Sequence, residues 1–202
     1  MTRKMHKSDV TLEPDSIENE RFASDEWPSD NGALIDITIL AASWDTPLID
    51  DLKARGPAML DHIAARLSLN PKRVSLLLCS DEDMRAMNKI HRGIDKATNV
   101  LSFPADDDLQ GVGDQPAHEL TIGDIAIAAE SIMLESSKTG IAAGDHLLHL
   151  FTHAVLHLLG YDHEEDSLAA EMEGLEIDLL AQMKIANPYH SDDPAFVSRE
   201  TE

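Results

Sequence analysis

Apolar and polar residues alternate in "ALIDITIL" (33–40), the two-residue period of a half-buried strand. From about Thr46 the period lengthens. "TPLIDDLKARGPAMLDHIAARLSL" spaces its apolar residues three and four apart, as a helix does, with an interruption predicted near Gly56-Pro57 because proline cannot continue a helix interior. The unbroken apolar run "RVSLLLCS" (73–80) predicts a buried strand. Ser80 then suits the N-cap of a helix over "DEDMRAMNKIH" (81–91), whose acids come first and bases later, as the helix dipole prefers. "NVLSFP" (99–104) predicts a short strand stopped by proline, 105–120 a long loop, "TIGDIAIA" (121–128) another strand and 130–138 a short helix. Two segments with strong 3.6-residue spacing follow, "GDHLLHLFTHAVLHLLG" (144–160) and "EDSLAAEMEGLEIDLLAQM" (165–183).

Strands and helices mix here without strict alternation, which predicts an α+β fold: one small mixed sheet packed with helices. Residues 1–32 are acidic and nearly aperiodic and read as a disordered extension; 33–186 read as a single domain, and 187–202 as a flexible C-terminal tail.

Charge narrows the choice of partners. The chain of 202 residues carries 38 acids against 16 bases, a net −22. Of this, −4 belongs to residues 1–32 and −3 to 187–202, which leaves −15 on 33–186. A polyanion such as RNA therefore has to be met by a local basic patch. The single cysteine, Cys79, precludes an internal disulfide and lies in an apolar run, where a buried thiol is expected. No apolar stretch follows the basic N-terminus as in a signal peptide, and the most apolar window, 141–160, holds four histidines and an aspartate. No membrane span is expected, and a cytoplasmic setting is.

The candidate chemistry lies in "HAVLHLLGYDH" (153–163). His153 and His157 are i and i+4 on a predicted helix, one turn apart on one face. Gly160 is a natural left-handed helix end, so the chain can turn there and bring His163 back to the same point. Three imidazoles without an evident fourth ligand leave one coordination position open, the mark of a catalytic zinc (one Zn2+) as opposed to a structural one. His146 and His149, on nearby faces, lack the turn that would aim them and read as packing or supporting residues. The spacing equals that of the metzincin peptidases, H-E-x-x-H-x-x-G-x-x-H, so the helix and glycine turn look zincin-like; the glutamate that serves as general base there is Ala154 here.

"HAVLHLLGYDH" resembles the signature of the YbeY family of bacterial rRNA-maturation endoribonucleases, H-G-x-L-H-L-x-G-Y-D-H, with Ala154 in place of the common glycine. "MNKIHRGIDKATNVLSFP" (87–104) is similar to its N-x-x-x-R-x-x-x-x-T-D-V-L-S-F-P segment, with Asn99 where aspartate is usual. "IGDIAI" (122–127) and "EMEGLEIDLL" (171–180) resemble its G-D-I strand and closing helix, with Glu176 at the typical acidic position. The likeness spans about residues 34–184. It implies a metal-dependent endoribonuclease preferring single-stranded RNA, acting on the 3′ end of small-subunit rRNA and in ribosome quality control, with the ribosome and its assembly proteins as partners.

Phosphodiester cleavage gathers negative charge on phosphoryl oxygens and needs a fixed cation there. Arg92, which matches the family's arginine, is the catalytic candidate, because a guanidinium is permanently charged and bidentate towards phosphate. Its bland alternative is a surface ion pair with Asp95. Arg85, Lys89 and Lys96 are spaced to form a basic stripe with Arg92 for an RNA backbone. Asp162 and Asp124 are candidates for orienting a ligand imidazole from behind. Two other readings remain open: a metallopeptidase-like hydrolase, and a non-catalytic ribosome-assembly factor with a structural zinc.

Overall fold

The computed structural model describes residues 23–70, 73–105 and 121–189. Most of the expected loop (106–120) and the outer parts of the expected tails (1–22 and 190–202) lie outside the described residues. The fold is α+β. Five strands, β1 (Ala23–Pro28), β2 (Leu34–Ile39), β3 (Arg73–Cys79), β4 (Val100–Pro104) and β5 (Thr121–Ala128), form one sheet in the order β1-β2-β3-β5-β4. β2, β3 and β5 run parallel, and the edge strands β1 and β4 pair antiparallel, so the sheet is mixed. The helices are α1 (Thr46–Arg66), α2 (Asp81–Arg92), α3 (Ala129–Thr139), α4 (Ala143–Leu158) and α5 (Asp166–Gln182).

The central strands are apolar on both faces, so both are covered. On one face Ile35, Ile37, Leu76, Leu78, Ile125 and Ile127 meet α1 and α4, with α5 packed behind α4. On the other face Cys79, Leu101, Ala126 and Ala128 meet Met84 of α2 in a smaller cluster. α4 is apolar nearly all round and correspondingly buried, which is how histidines come to lie inside the protein. No helix among the described residues is long and apolar enough to cross a membrane.

Two expectations are corrected. Within the extension expected over residues 1–32, Ala23–Pro28 instead forms β1, with Trp27 opposite Ile35. Of its six residues only Trp27 is buried, so the strand exists through backbone pairing to β2 and leaves almost no periodic trace in its own side chains. Helix α1 also runs unbroken through Pro57. An interior proline costs about 3 kcal/mol. Burying Leu52, Met59, Leu60 and Ile63 returns about 1.5–3 kcal/mol each, so packing overrides the break. Gly56 lets the helix sit close: a Cβ there would lie 3.0 Å from Ile35 Cδ1.

Candidate metal centre

Helix α4 ends in a hydrogen-bonded turn that builds the site. Gly160 adopts φ +89°, Tyr161 N–H reaches back to Leu156 C=O at 3.1 Å, and Gly160 N–H to His157 C=O at 3.0 Å. These bonds satisfy carbonyls that a helix end otherwise leaves orphaned. The same turn brings the Tyr161 carbonyl within 2.9 Å of His157 Nδ1 and carries His163 back over α4. His163 stacks on His153 with centroids 5.5 Å apart and meets the His157 ring edge-on at 4.8 Å. One ring nitrogen from each of the three lies within 4.8 Å of the others.

The hydrogen bonds fix the tautomers. A carbonyl only accepts, so His157 Nδ1 carries the proton that Tyr161 receives. His153 Nδ1 lies 2.9 Å from Glu176 Oε1. Glu176 is fully buried; burial pushes its carboxyl up, but hydrogen bonds from His149 and His153 overcome this and hold it at about 2. It is therefore an anion at neutral pH, and His153 Nδ1–H donates to it. Burial, reinforced by His153 and His163, lowers His157 to about 4, so its imidazole is neutral, the form that ligates metal. With the Nδ1 atoms of both rings facing acceptors, the two Nε2 atoms are left to face each other at 3.0 Å. Two nitrogens at that distance need a proton or a cation between them. With His163 beside them, the donor set fits a single divalent ion, and nitrogen donors suit zinc.

The sequence marks Glu176 only as the family's typical acidic position, without a role. A signal was present: Met172, Leu175, Leu179 and Leu180 are the buried stripe of α5, and Glu176 falls inside it. An acid in an apolar stripe needs a partner. His149 Nε2 meets Glu176 Oε2 at 2.7 Å, behind His153, whereas His146 Nε2 meets Glu135 Oε2 at 2.7 Å. Asn99 Nδ2 donates to the same Glu135 oxygen at 3.0 Å. Residues 187–189 of the expected tail are among the described residues, and the Tyr189 hydroxyl donates to Glu176 Oε2 at 2.5 Å.

The two aspartates do not orient His153 or His157. Asp162 accepts from the backbone N–H of His163 at 2.7 Å and shapes the turn, since the Nδ1 positions of His153 and His157 are taken by Glu176 and Tyr161. Asp124 is exposed on β5, and strand alternation puts it with Ala126 and Ala128 on the face away from α4. Arg92 is the exposed last residue of α2. Asp95, its partner in the alternative reading, is held instead by Arg85 Nε at 2.6 Å and Lys89 Nζ at 2.9 Å. The predicted stripe is thus partly neutralised, and α2 packs on the sheet face opposite α4. The end of α2 nevertheless reaches the β4 edge, where His91 meets Phe103 with centroids 4.8 Å apart. Lys96 is exposed beyond it.

The family model for endoribonuclease YbeY matches residues 45–184, from the start of α1 past the end of α5, and takes in the whole histidine site. The chain belongs to the YbeY endoribonuclease family. The endoribonuclease YbeY of Dinoroseobacter shibae is 39% identical over 171 residues, covering 79% of this chain and 92% of that protein. That of Rhodospirillum rubrum is 47% identical over 123 residues, covering 59% of each. A solution structure of TM1509 from Thermotoga maritima aligns with 78% of this chain and 97% of its own, at 23% identity and a TM-score of 0.46. Ala154, which stands where the peptidases carry their glutamate, is 1% exposed and faces the apolar core.

Proposed function

We propose that this YbeY-family protein is a zinc-dependent endoribonuclease that cleaves single-stranded RNA, with the 3′ end of small-subunit rRNA as its natural target and ribosome quality control as its setting. It works in the cytoplasm beside the ribosome and its assembly proteins. The observation that carries the reading is the convergence of the His153 and His157 Nε2 atoms, 3.0 Å apart, with a ring nitrogen of His163 beside them. Family membership supports RNA as the substrate. His153, His157 and His163 would hold a divalent ion, which would supply Lewis-acid chemistry when bound.

The chain's own groups have distinct tasks. Glu176 keeps a proton on His153 Nδ1, and the Tyr161 carbonyl keeps one on His157 Nδ1, so both Nε2 atoms stay available as donors. Arg92, with no ion-pair partner among the described residues, meets the negative phosphoryl oxygens. With Arg85 and Lys89 engaged by Asp95, few cations remain for free RNA, so affinity outside the ribosome is weak and only modestly salt-dependent.

A structural role for the metal is disfavoured by the large apolar core, which joins α1, α4, α5 and the sheet without using the histidine cluster. The test is metal analysis of the purified protein, then cleavage of single- and double-stranded RNA before and after chelation. One equivalent of zinc, single-strand cleavage lost on chelation and far-UV circular dichroism unchanged support the reading. Unfolding on chelation would instead favour the structural zinc, and peptide cleavage without RNA cleavage the hydrolase alternative.

A further inference from the structure

The geometry points to Tyr189 as a positioning residue for the metal site, acting through Glu176 on the ligand His153. The inference rests on the metal-site reading above but not on the identity of the substrate. Glu176 is fully buried, and a buried carboxylate is tolerated only when its lone pairs are occupied by donors. Oε1 accepts from His153 Nδ1 at 2.9 Å; Oε2 accepts from His149 Nε2 at 2.7 Å and from the Tyr189 hydroxyl at 2.5 Å. These three donors fix the plane of the carboxylate, and that plane decides where Oε1 stands relative to His153.

The tyrosine is itself held in place. Beyond α5 the chain turns at Lys184, with φ +62°, and buries Ile185. Asn187 Oδ1 then accepts from the Tyr189 backbone N–H at 2.8 Å. The Tyr189 ring packs edge-on against His149 with centroids 5.6 Å apart. Ring and hydroxyl are thus anchored separately. Loss of the hydroxyl removes one donor from Oε2 and leaves the ring packing intact. Glu176 is then free to rotate towards the donors that remain, which weakens its hold on the His153 Nδ1–H. The other tautomer puts the proton on Nε2, where it blocks ligation. A segment outside the core helices therefore sets how well His153 is prepared for the ion.

The test uses full-length protein carrying Tyr189→Phe. Zinc affinity is measured by competition with a chromophoric chelator at neutral pH, and the visible spectrum of the cobalt-substituted protein reports ligand geometry. Direct hydrogen-bond partners of metal-ligating histidines are worth about 10–100-fold in affinity, so a partner one step further out is expected to be worth less than about tenfold. The expected result is a zinc Kd raised by that smaller factor with an altered cobalt band. In a Glu176→Gln background, removal of the same hydroxyl should change the Kd no further. A purely structural tyrosine would lower the melting temperature of apo and zinc-loaded protein alike and leave both Kd and cobalt spectrum unmoved, which overturns the inference. An equal effect in the Glu176→Gln background would show that Tyr189 does not act through Glu176 and also overturns it. A wild-type protein that binds no zinc in the same titration overturns the metal-site reading and this inference together.

Discussion

Gly123 joins the two structures that position the site, and the atoms packed around it set the cost of replacing it by alanine. Gly123 lies on β5 opposite Pro104 of β4, with φ +151°, where a side chain is strained. A Cβ there would sit 2.4 Å from the Phe103 carbonyl oxygen, 2.7 Å from Leu158 Cδ2 and 3.1 Å from Pro104 Cα. Carbon atoms pack best at about 3.5–4.0 Å, so the shortfall is close to 1 Å on two sides. Leu158 can swing aside, but the carbonyl belongs to the paired β4 backbone and cannot move without opening that edge. Overpacking of this kind costs about 1–3 kcal/mol, and the unfavourable φ about 1–2 more. The alanine's smaller unfolded-state entropy returns about 0.4–1 kcal/mol. A net loss of about 2–4 kcal/mol corresponds to a fall in Tm of roughly 5–15 °C for a chain of this size. Urea and thermal melts of Gly123→Ala measure it directly. Because Leu158 follows His157, zinc affinity should fall together with stability. A Tm within about 2 °C of wild type, well inside the scale just derived, with zinc binding intact, would refute the claim that β4, β5 and the end of α4 meet too closely here for any side chain.

Three further outcomes follow from the same geometry. His157→Ala should abolish stoichiometric zinc, read by elemental analysis after dialysis, and His149 should not replace it, because Glu176 holds the His149 Nε2 at 2.7 Å. Arg92→Ala should sharply reduce RNA cleavage in a gel assay while leaving Tm nearly unchanged, and Arg92→Lys should rescue it poorly, since an ammonium cannot make the two-pronged phosphate contact; a matching loss of stability would mark Arg92 as structural. The Cys79 thiol, fully buried, is pushed up from 9.0 to about 12 by burial. A raised folded-state value means that its contribution is complete below pH 9 and is lost as pH rises towards 12, because the unfolded chain gives up the proton first. Urea midpoints measured between pH 8 and about 10.5, within that window, should fall less steeply in Cys79→Ala, and native Cys79 should resist alkylation until the protein is unfolded.

Whatever was legible in the sequence depends on residues close together in the chain. The 3.6-residue spacing of α4 and α5 and the apolar runs of β3 and β5 are local patterns. So are the Ser80 cap, whose reciprocal bonds to Asp83 span three residues, and the Gly160 turn. The three-histidine cluster is local too, since one helical turn and one glycine bring 153, 157 and 163 together. The class of fold and the resemblance to the YbeY family could therefore be read before any coordinates.

Tertiary structure decided what depends on distant partners. β1 is a strand because β2 lies beside it, and Pro57 stays helical because the core repays its broken bond. Asp95 belongs to Arg85 and Lys89, ten and six residues before it, and so is not available to Arg92. Glu176 meets His153 across 23 residues, and Tyr189 reaches His149 across 40. A helix period shows which face of α5 is buried, but not what stands opposite it. That is set by the packing of α4, α5 and the sheet into one core, a sum over the whole chain that no single segment contains.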